Sequence, residues 1–299
     1  MCRAKEDTMN LSLFADLAVN GLVIGGIYAV VAIGLNMQYG LMRILNIAHG
    51  EFLMIGAFLT FTLHTVTGIS PLVFIPVVML ASFVLGVILH RLVFRRLTAQ
   101  AKSLDQVEER SLIIGFGLMF ILQNVATLIW GSDLHGYDFL SEPVKFGGVI
   151  VTQNRLLVLF LALLISIFLI LLLQRTLIGK AVRGMLQSPI GAQLVGVDAA
   201  RLNPFVFGLG IAMAGLAGAL LSMIYEVTPS IGESYTIMAL IVITLGGLGS
   251  IGGSFMAALL LGMIESFGTH LTNPSLKMIL SYSVFVLILM FKPKGLFAK

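Results

Sequence analysis

Leu156-Leu157-Val158-Leu159-Phe160-Leu161-Ala162-Leu163-Leu164-Ile165-Ser166-Ile167-Phe168-Leu169-Ile170-Leu171-Leu172-Leu173 carries no charge, and Ser166 is its one polar side chain. An α-helix rises 1.5 Å per residue, so about 20 apolar residues cross the hydrocarbon core of a bilayer. Arg155 and Gln174-Arg175 flank the stretch, where a span would meet water at each edge. Working outward from this run at 155–174, similar apolar runs lie near 12–36, 44–66, 70–90, 111–131, 203–225, 236–269 and 275–291. Only 11% of the chain is charged and 58% is hydrophobic, whereas soluble domains carry roughly 25% charged residues. Mean hydropathy is +1.04. The expected fold is therefore an all-α, polytopic transmembrane helical bundle of eight or nine spans. It forms one membrane domain over 1–299, with residues 1–11 as a polar N-terminal tail. No small-residue cleavage site follows that tail, so no removable signal is expected, and Met9 would serve equally as the start. The single cysteine, Cys2, excludes an internal disulfide, and no Cys/His spacing suggests a metal.

Orientation follows from the basic residues, which favour cytoplasmic loops. Arg91, Arg95, Arg96, Lys102 and Arg110 lie in 91–110; Arg175, Lys180, Arg183 and Arg201 in 174–201; Lys292, Lys294 and Lys299 in the tail. Acidic residues dominate elsewhere: Asp133, Asp138 and Glu142 against Lys145 in 132–153, and Glu226 and Glu233 in 226–235. Keeping all the basic segments inside requires run 236–269 to be two spans, which gives nine crossings, an external N-terminus and a cytoplasmic C-terminus. A mid-membrane break in that run would instead give eight.

Between helices in lipid, small residues supply close contact. Gly21 and Gly25 form one such pair, and Gly208, Gly210, Ala212, Ala214 and Gly218 form a seam on the sixth run. Ionisable residues inside a membrane are candidates for function. Asn46-Ile47-Ala48-His49-Gly50-Glu51 is the clearest group, and in a helix Asn46, His49 and Gly50 would share a face. Gly34 and Gly40 precede it and make a break before the second run plausible. Two readings stay open for Asn46, His49, Gly50 and Glu51. They contact cargo or gate the pathway, or they brace neighbouring helices with Glu51 paired to Arg43. Asp16, Glu265, His64, His90 and His270 lie at run ends and are expected at the interface. No chain of acids and histidines threads the bundle, which argues against a proton-driven pump.

Gly246-Gly247-Leu248-Gly249-Ser250-Ile251-Gly252-Gly253 resembles no phosphate loop, because G-x₄-G-K-[ST] requires a lysine that is missing. Ser250 is flanked by Gly249 and Ile251 with Leu248 two positions before it, so no G-x-S-x-G elbow is present, and pairing it with His270 does not make a protease. Gly246, Gly247, Gly249, Ser250, Gly252 and Gly253 instead predict a tight turn or broken helix. Segment 179–198 predicts two short amphipathic helices, with Ser188-Pro189 as N-cap and first helical residue and Gly196 as a stop. Such helices anchor at the membrane surface or dock a cytosolic partner.

These residues resemble a known family. Asn20-Gly21-Leu22 through Gly34, Tyr39-Gly40 and Asn46 to Glu51 are similar to the opening of branched-chain amino acid ABC transporter permeases of the LivH type. Gly179-Lys180-Ala181-Val182-Arg183 to Leu194-Val195-Gly196, the 246–253 glycines with Glu265, and Lys292-Pro293-Lys294-Gly295-Leu296-Phe297 resemble its later parts. The resemblance implies an importer subunit of the bacterial inner membrane, without a cofactor of its own. A homologous second permease, two cytosolic ATPases that bind the ATP, and a periplasmic binding protein would complete it. Gly179, Lys180, Arg183 and Gly196 would then belong to the ATPase-coupling element, with docking leaning on Lys180 and Arg183. Urea and short-chain amide importers share the pattern, so cargo stays open. A self-contained channel or secondary transporter is the other class, and it would dispense with the 179–198 helices.

Overall fold

A computed structural model describes residues 2–146, 149–272, 276–292 and 295–297. Its helices are α1 (Cys2–Met42), α2 (His49–Thr67), α3 (Pro71–Leu89), α4 (Arg95–Gln100), α5 (Leu104–Trp130), α6 (Gln153–Arg175), α7 (Leu177–Gln187), α8 (Pro189–Leu194), α9 (Ala199–Ser222), α10 (Ile231–Gly246), α11 (Ile251–Leu271) and α12 (Lys277–Phe291). A π-helical turn at His90–Phe94 joins α3 to α4. Seven described helical runs are long and apolar enough to cross a membrane, and Ile231–Gly246 and Ile279–Phe291 are shorter apolar helices. The all-α expectation needs one amendment. Strands β1 (Pro143–Phe146) and β2 (Val149–Thr152) form an antiparallel hairpin with Pro143 opposite Thr152.

Two faces sort by charge. On the basic face, Arg43 pairs with Glu108 at 3.4 Å, and Arg183 donates to the Leu173 and Gln174 carbonyls. On the acidic face, a backbone bridge joins His135 to Val227, and the Ile150 N–H donates to Asp16 Oδ1 at 3.3 Å. The chain tail lies on the basic side, where the Leu296 N–H donates to the Leu245 carbonyl at 2.7 Å. Pro293, Lys294 and Lys299 of the basic tail lie outside the described residues.

α9 is the central post, because its glycines admit neighbours on several sides. A Cβ on Gly208 would meet α3 at the Phe83 carbonyl, one on Gly210 would meet α1 at the Gly34 carbonyl, and one on Gly218 would lie 1.9 Å from the Leu53 carbonyl of α2. The small residues thus serve three helices rather than one seam. Gly21 and Gly25 do act as a pair, bringing α1 onto Met263 and Leu259 of α11.

The trios α1–α3 and α9–α11 are built alike and run in opposite directions. Each has a long helix, a short irregular segment (43–48 or 223–230), then a second helix with a buried glycine in its first turn, Gly50 or Gly232. Each then turns through a glycine of positive φ (Gly68 at 68°, Gly247 at 92°) to a serine, Ser70 or Ser250, before the third helix. α3 packs on α9, as α11 packs on α1. Such antiparallel duplication is the signature of inverted repeats, which transporters use to build a site near the bilayer midplane.

Several expectations change. Residues 2–11 continue α1 as helix instead of forming a separate tail. Glu265 is buried, because α11 runs on to Leu271 and Tyr28 meets the carboxylate with its hydroxyl at 2.9 Å. His90 is buried too: the helix continues past the apolar run to Gln100, and the ring packs on Phe207 at 5.5 Å. Glu51 has no bond to Arg43. The guanidinium turns to Glu108 and Tyr39 at the basic face, while Glu51 sits deeper, against Gln123. Tyr28→Phe removes a buried hydrogen bond, at a cost of about 1–3 kcal/mol, and should lower the thermal unfolding midpoint measurably in scanning fluorimetry. An unchanged midpoint would show that the pair adds nothing to stability.

Candidate functional site

The first polar element is a joint where the buried start of α2 meets the first turns of α10 at Gly232 and Thr236. Arg43, at φ 54°, reverses the chain after α1. Residues 43–48 then climb back into the bundle: the Leu45 N–H donates to Ser111 Oγ at 2.9 Å, and Ile47 rests on Gly115. Asn46 therefore lies before the helix and shares no helical face with His49 and Gly50, contrary to the spacing argument. Irregular backbone at this depth is tolerated only inside protein. Here the segment enters from the exposed Arg43 and is enclosed by its end, with Asn46, His49 and Glu51 each 0% exposed.

Each residue of the joint has a distinct partner. The Asn46 amide donates to Gln38 Oε1 at 3.4 Å, and Gln38 donates to the Phe207 carbonyl at 3.2 Å. His49 Nε2 lies 3.2 Å from the Val31 carbonyl, which assigns the proton to that nitrogen. The Gly50 N–H donates to Thr236 Oγ1 at 2.8 Å, and Gln123 Nε2 donates to Glu51 Oε1 at 3.0 Å. Gly50 and Gly232 allow the crossing: a Cβ on Gly50 would lie 2.0 Å from the Gly232 carbonyl, and one on Gly232 would lie 2.7 Å from the Glu51 carboxyl. Glu51 thus stands in the first turn of α2 and against the first turn of α10. Carboxylates are favoured at both, since helix N-termini carry partial positive charge. Asn46 Oδ1, His49 Nδ1 and Glu51 Oε2 make no hydrogen bond among the described residues.

The glycine stretch is a turn between α10 and α11, not a kink within one helix. Gly247 and Gly249 adopt φ of 92° and 83°, which side chains disfavour. Gly246 and Gly253 let the two helices touch, since a Cβ on Gly246 would lie 2.5 Å from the Ser254 nitrogen. Ser250 caps α11 by accepting from the Gly253 N–H at 3.2 Å. Gly252 faces open space. Asn36 of α1 clasps the turn, accepting from the Gly249 N–H at 2.7 Å and donating to Ser254 Oγ at 2.7 Å. Sequence reasoning passed over Asn36, Gln38 and Gln123, although an amide within an apolar run was signal enough.

The paired short helices form as expected. Ser188 caps α8, accepting from the Gly191 N–H at 3.1 Å, and Gly196 follows the helix at φ 93°. α7 begins earlier than the reading from Gly179, at Leu177 behind its Thr176 cap. Gly179 packs on the Leu173 carbonyl, and Arg183 donates to the last carbonyls of α6. These two residues clamp α7 to α6, while Lys180 is exposed. The outer face of α8 is apolar: Ile190 is 76% exposed, and Leu194 and Val195 are each 83% exposed.

Long apolar helices, duplicated in opposite directions around a polar joint, define a multi-pass membrane protein. Within that class, the chain belongs to the family described as "Branched-chain amino acid transport system / permease component", whose model matches residues 17–289. It is 31% identical over 297 residues to the high-affinity branched-chain amino acid transport system permease protein BraD of Pseudomonas aeruginosa, covering 94% of each chain. It is 29% identical to the permease protein LivH of Escherichia coli K12, covering 96% of each. It is 26% identical to LivM of the same organism, over 90% of this chain and 67% of the relative. No solved structure matches it.

Proposed function

We propose that this chain is one permease of a binding-protein-dependent ABC importer for branched-chain amino acids in a bacterial inner membrane. It crosses the bilayer nine times, with α10 and α12 as the short crossings, the acidic face outside and the C-terminus in the cytoplasm. A homologous LivM-like permease completes the pathway, two cytosolic ATPases bind and hydrolyse the ATP, and a periplasmic protein delivers cargo. The carrying observation is the α7–α8 pair on the basic face, clamped to α6 from within and bearing an unpartnered apolar surface at Ile190, Leu194 and Val195. A rigid lever with a greasy contact face suits transmission of an ATPase movement into the bundle.

Within this reading, Asn46, His49, Gly50 and Glu51 hold the α2–α10 joint and reach cargo only if that joint opens. Gly246, Gly247, Gly249, Ser250 and Gly253 shape the inner turn beside the lever, and Arg183 transmits force rather than docking. Reconstitution of the chain with both ATPases, the second permease and the binding protein should give ATP-dependent leucine uptake, whereas the chain alone should give none. Uptake by the lone chain would overturn the assignment. Uptake of urea in preference to leucine would favour the amide importer.

A further inference from the structure

A cavity of about 590 Å³ opens on the acidic face, between the 134–141 loop, the start of α6 and the segment that follows α9. Pockets of this size take small organic molecules. Its charges are of both signs and are kept apart. Arg155 is the one basic lining residue, and Asp138 and Glu226 are the acidic ones. The ion pairs among the described residues, Arg43 with Glu108 and Arg201 with Asp198, include none of the three. Arg155 is instead held by an uncharged group, Asn20 Oδ1. Opposite charges therefore line one cavity without pairing to each other.

The scaffold around them is fixed. Asn154 Nδ2 donates to the Met223 carbonyl at 2.9 Å, and Tyr137 Oη lies 3.0 Å from Ser222 Oγ. Burial pushes the Tyr137 hydroxyl up to about 12, so it remains a neutral hydrogen-bonding group at any physiological pH. Phe139, Met223 and Ile224 supply apolar wall. From Met223 the chain passes Val227 and reaches Gly232, which lies against Glu51 in the joint.

We propose that this cavity is a binding site of the permease itself for a free α-amino acid zwitterion. Arg155 takes the carboxylate, Glu226 and Asp138 take the ammonium group, and the apolar wall takes a branched side chain. A guanidinium presents paired donors that match a carboxylate, and this geometry makes arginine selective for it. The site deepens the importer reading and rests on it: cargo released outside would land here, beside the segment that leads to α10.

The test is equilibrium binding of radiolabelled L-leucine to the assembled permease–ATPase complex without its binding protein, with ATP-driven uptake by the complete system measured in parallel. Saturable binding is expected. 4-Methylpentanoate lacks the ammonium, 3-methylbutylamine lacks the carboxylate, and neither should compete. Arg155→Gln and Glu226→Gln should each weaken binding about tenfold, which corresponds to about 1.4 kcal/mol, and Arg155→Lys, which keeps the charge but not the paired donors, should recover only part of the loss. Should Arg155→Gln fail to assemble, the exposed Glu226 decides the matter. Absence of saturable binding, full competition by either half-molecule, preferential displacement by O-phosphoethanolamine as a lipid-headgroup mimic, or unchanged binding in Glu226→Gln would overturn the site. Wild-type uptake with no binding would sink the cavity alone, whereas no wild-type uptake would sink the importer reading.

Discussion

Gly50→Ala is expected to unfold the α2–α10 joint, lowering the melting midpoint by about 10 °C or leaving little folded protein. The added Cβ would lie 2.0 Å from the Gly232 carbonyl and 2.5 Å from Thr236 Oγ1. Both neighbours are held in place, one as backbone and the other as acceptor of the Gly50 N–H. The helices must separate, which strains the fit on each side and weakens that bond. Overpacking of a tight core costs roughly 1–3 kcal/mol, and a lost buried hydrogen bond adds about 1–3. At roughly 2–4 °C per kcal/mol for a chain of this order, the shift is large. Trp130, the only tryptophan, reports on this event directly. It stacks on Phe58 at 4.7 Å and donates to Thr62 Oγ1 at 2.9 Å, both on α2. Gly117→Ala is the control, since its Cβ would meet nothing within 4 Å and alanine favours the helix by about 1 kcal/mol. A Gly50→Ala midpoint no lower than that of Gly117→Ala would show that the crossing yields easily.

The spans were legible because apolar length is a local property, and the Ser188-Pro189 start of α8 because capping chemistry is local too. The polar interior was legible only as a list of residues. Asn46 and Glu51 are close in sequence, yet the chain reverses at Arg43 and stays irregular to Ala48, which no helical periodicity reveals. Their partners come from far away: Gln123 lies 72 positions from Glu51, and Thr236 lies 186 from Gly50. Glu265 misled for the opposite reason. Its place near the end of an apolar run suggested solvent, but Tyr28, 237 positions distant, buries it. The β1–β2 hairpin did carry a local signal, Gly147-Gly148 between β-prone flanks. Apolar composition, which favours helices throughout the chain, masks that signal. The duplication of α1–α3 in α9–α11 hides for a physical reason. Glycine turns and close helix crossings constrain only a few positions, and lipid accepts almost any apolar side chain at the rest.

Leu194→Asp should abolish transport without destabilising the permease. Leu194 and Ile190 lie four positions apart on α8, so they share one face, and Val195 extends it. An apolar anchor at the centre of an interface contributes about 2–4 kcal/mol. Burying an unpaired carboxylate in its place costs more, so ATPase binding should weaken at least about a hundredfold. The side chain has little contact within this chain, so the Trp130 melting midpoint should stay at its wild-type value. Arg183→Glu separates the two roles of the lever. Its guanidinium holds the C-terminal carbonyls of α6, where a positive group also offsets the helix dipole. Reversing the charge should lower both the midpoint and the transport rate. Lys180→Ala should change neither by much, because an exposed charge contributes at most about 1 kcal/mol. ATPase co-purification, uptake and melting on the three variants then distinguish the roles. If α8 only anchors to lipid, Leu194→Asp will still retain the ATPases, and the apolar face is not the coupling surface. If charge alone docks them, Lys180→Ala will lose them while Leu194→Asp does not.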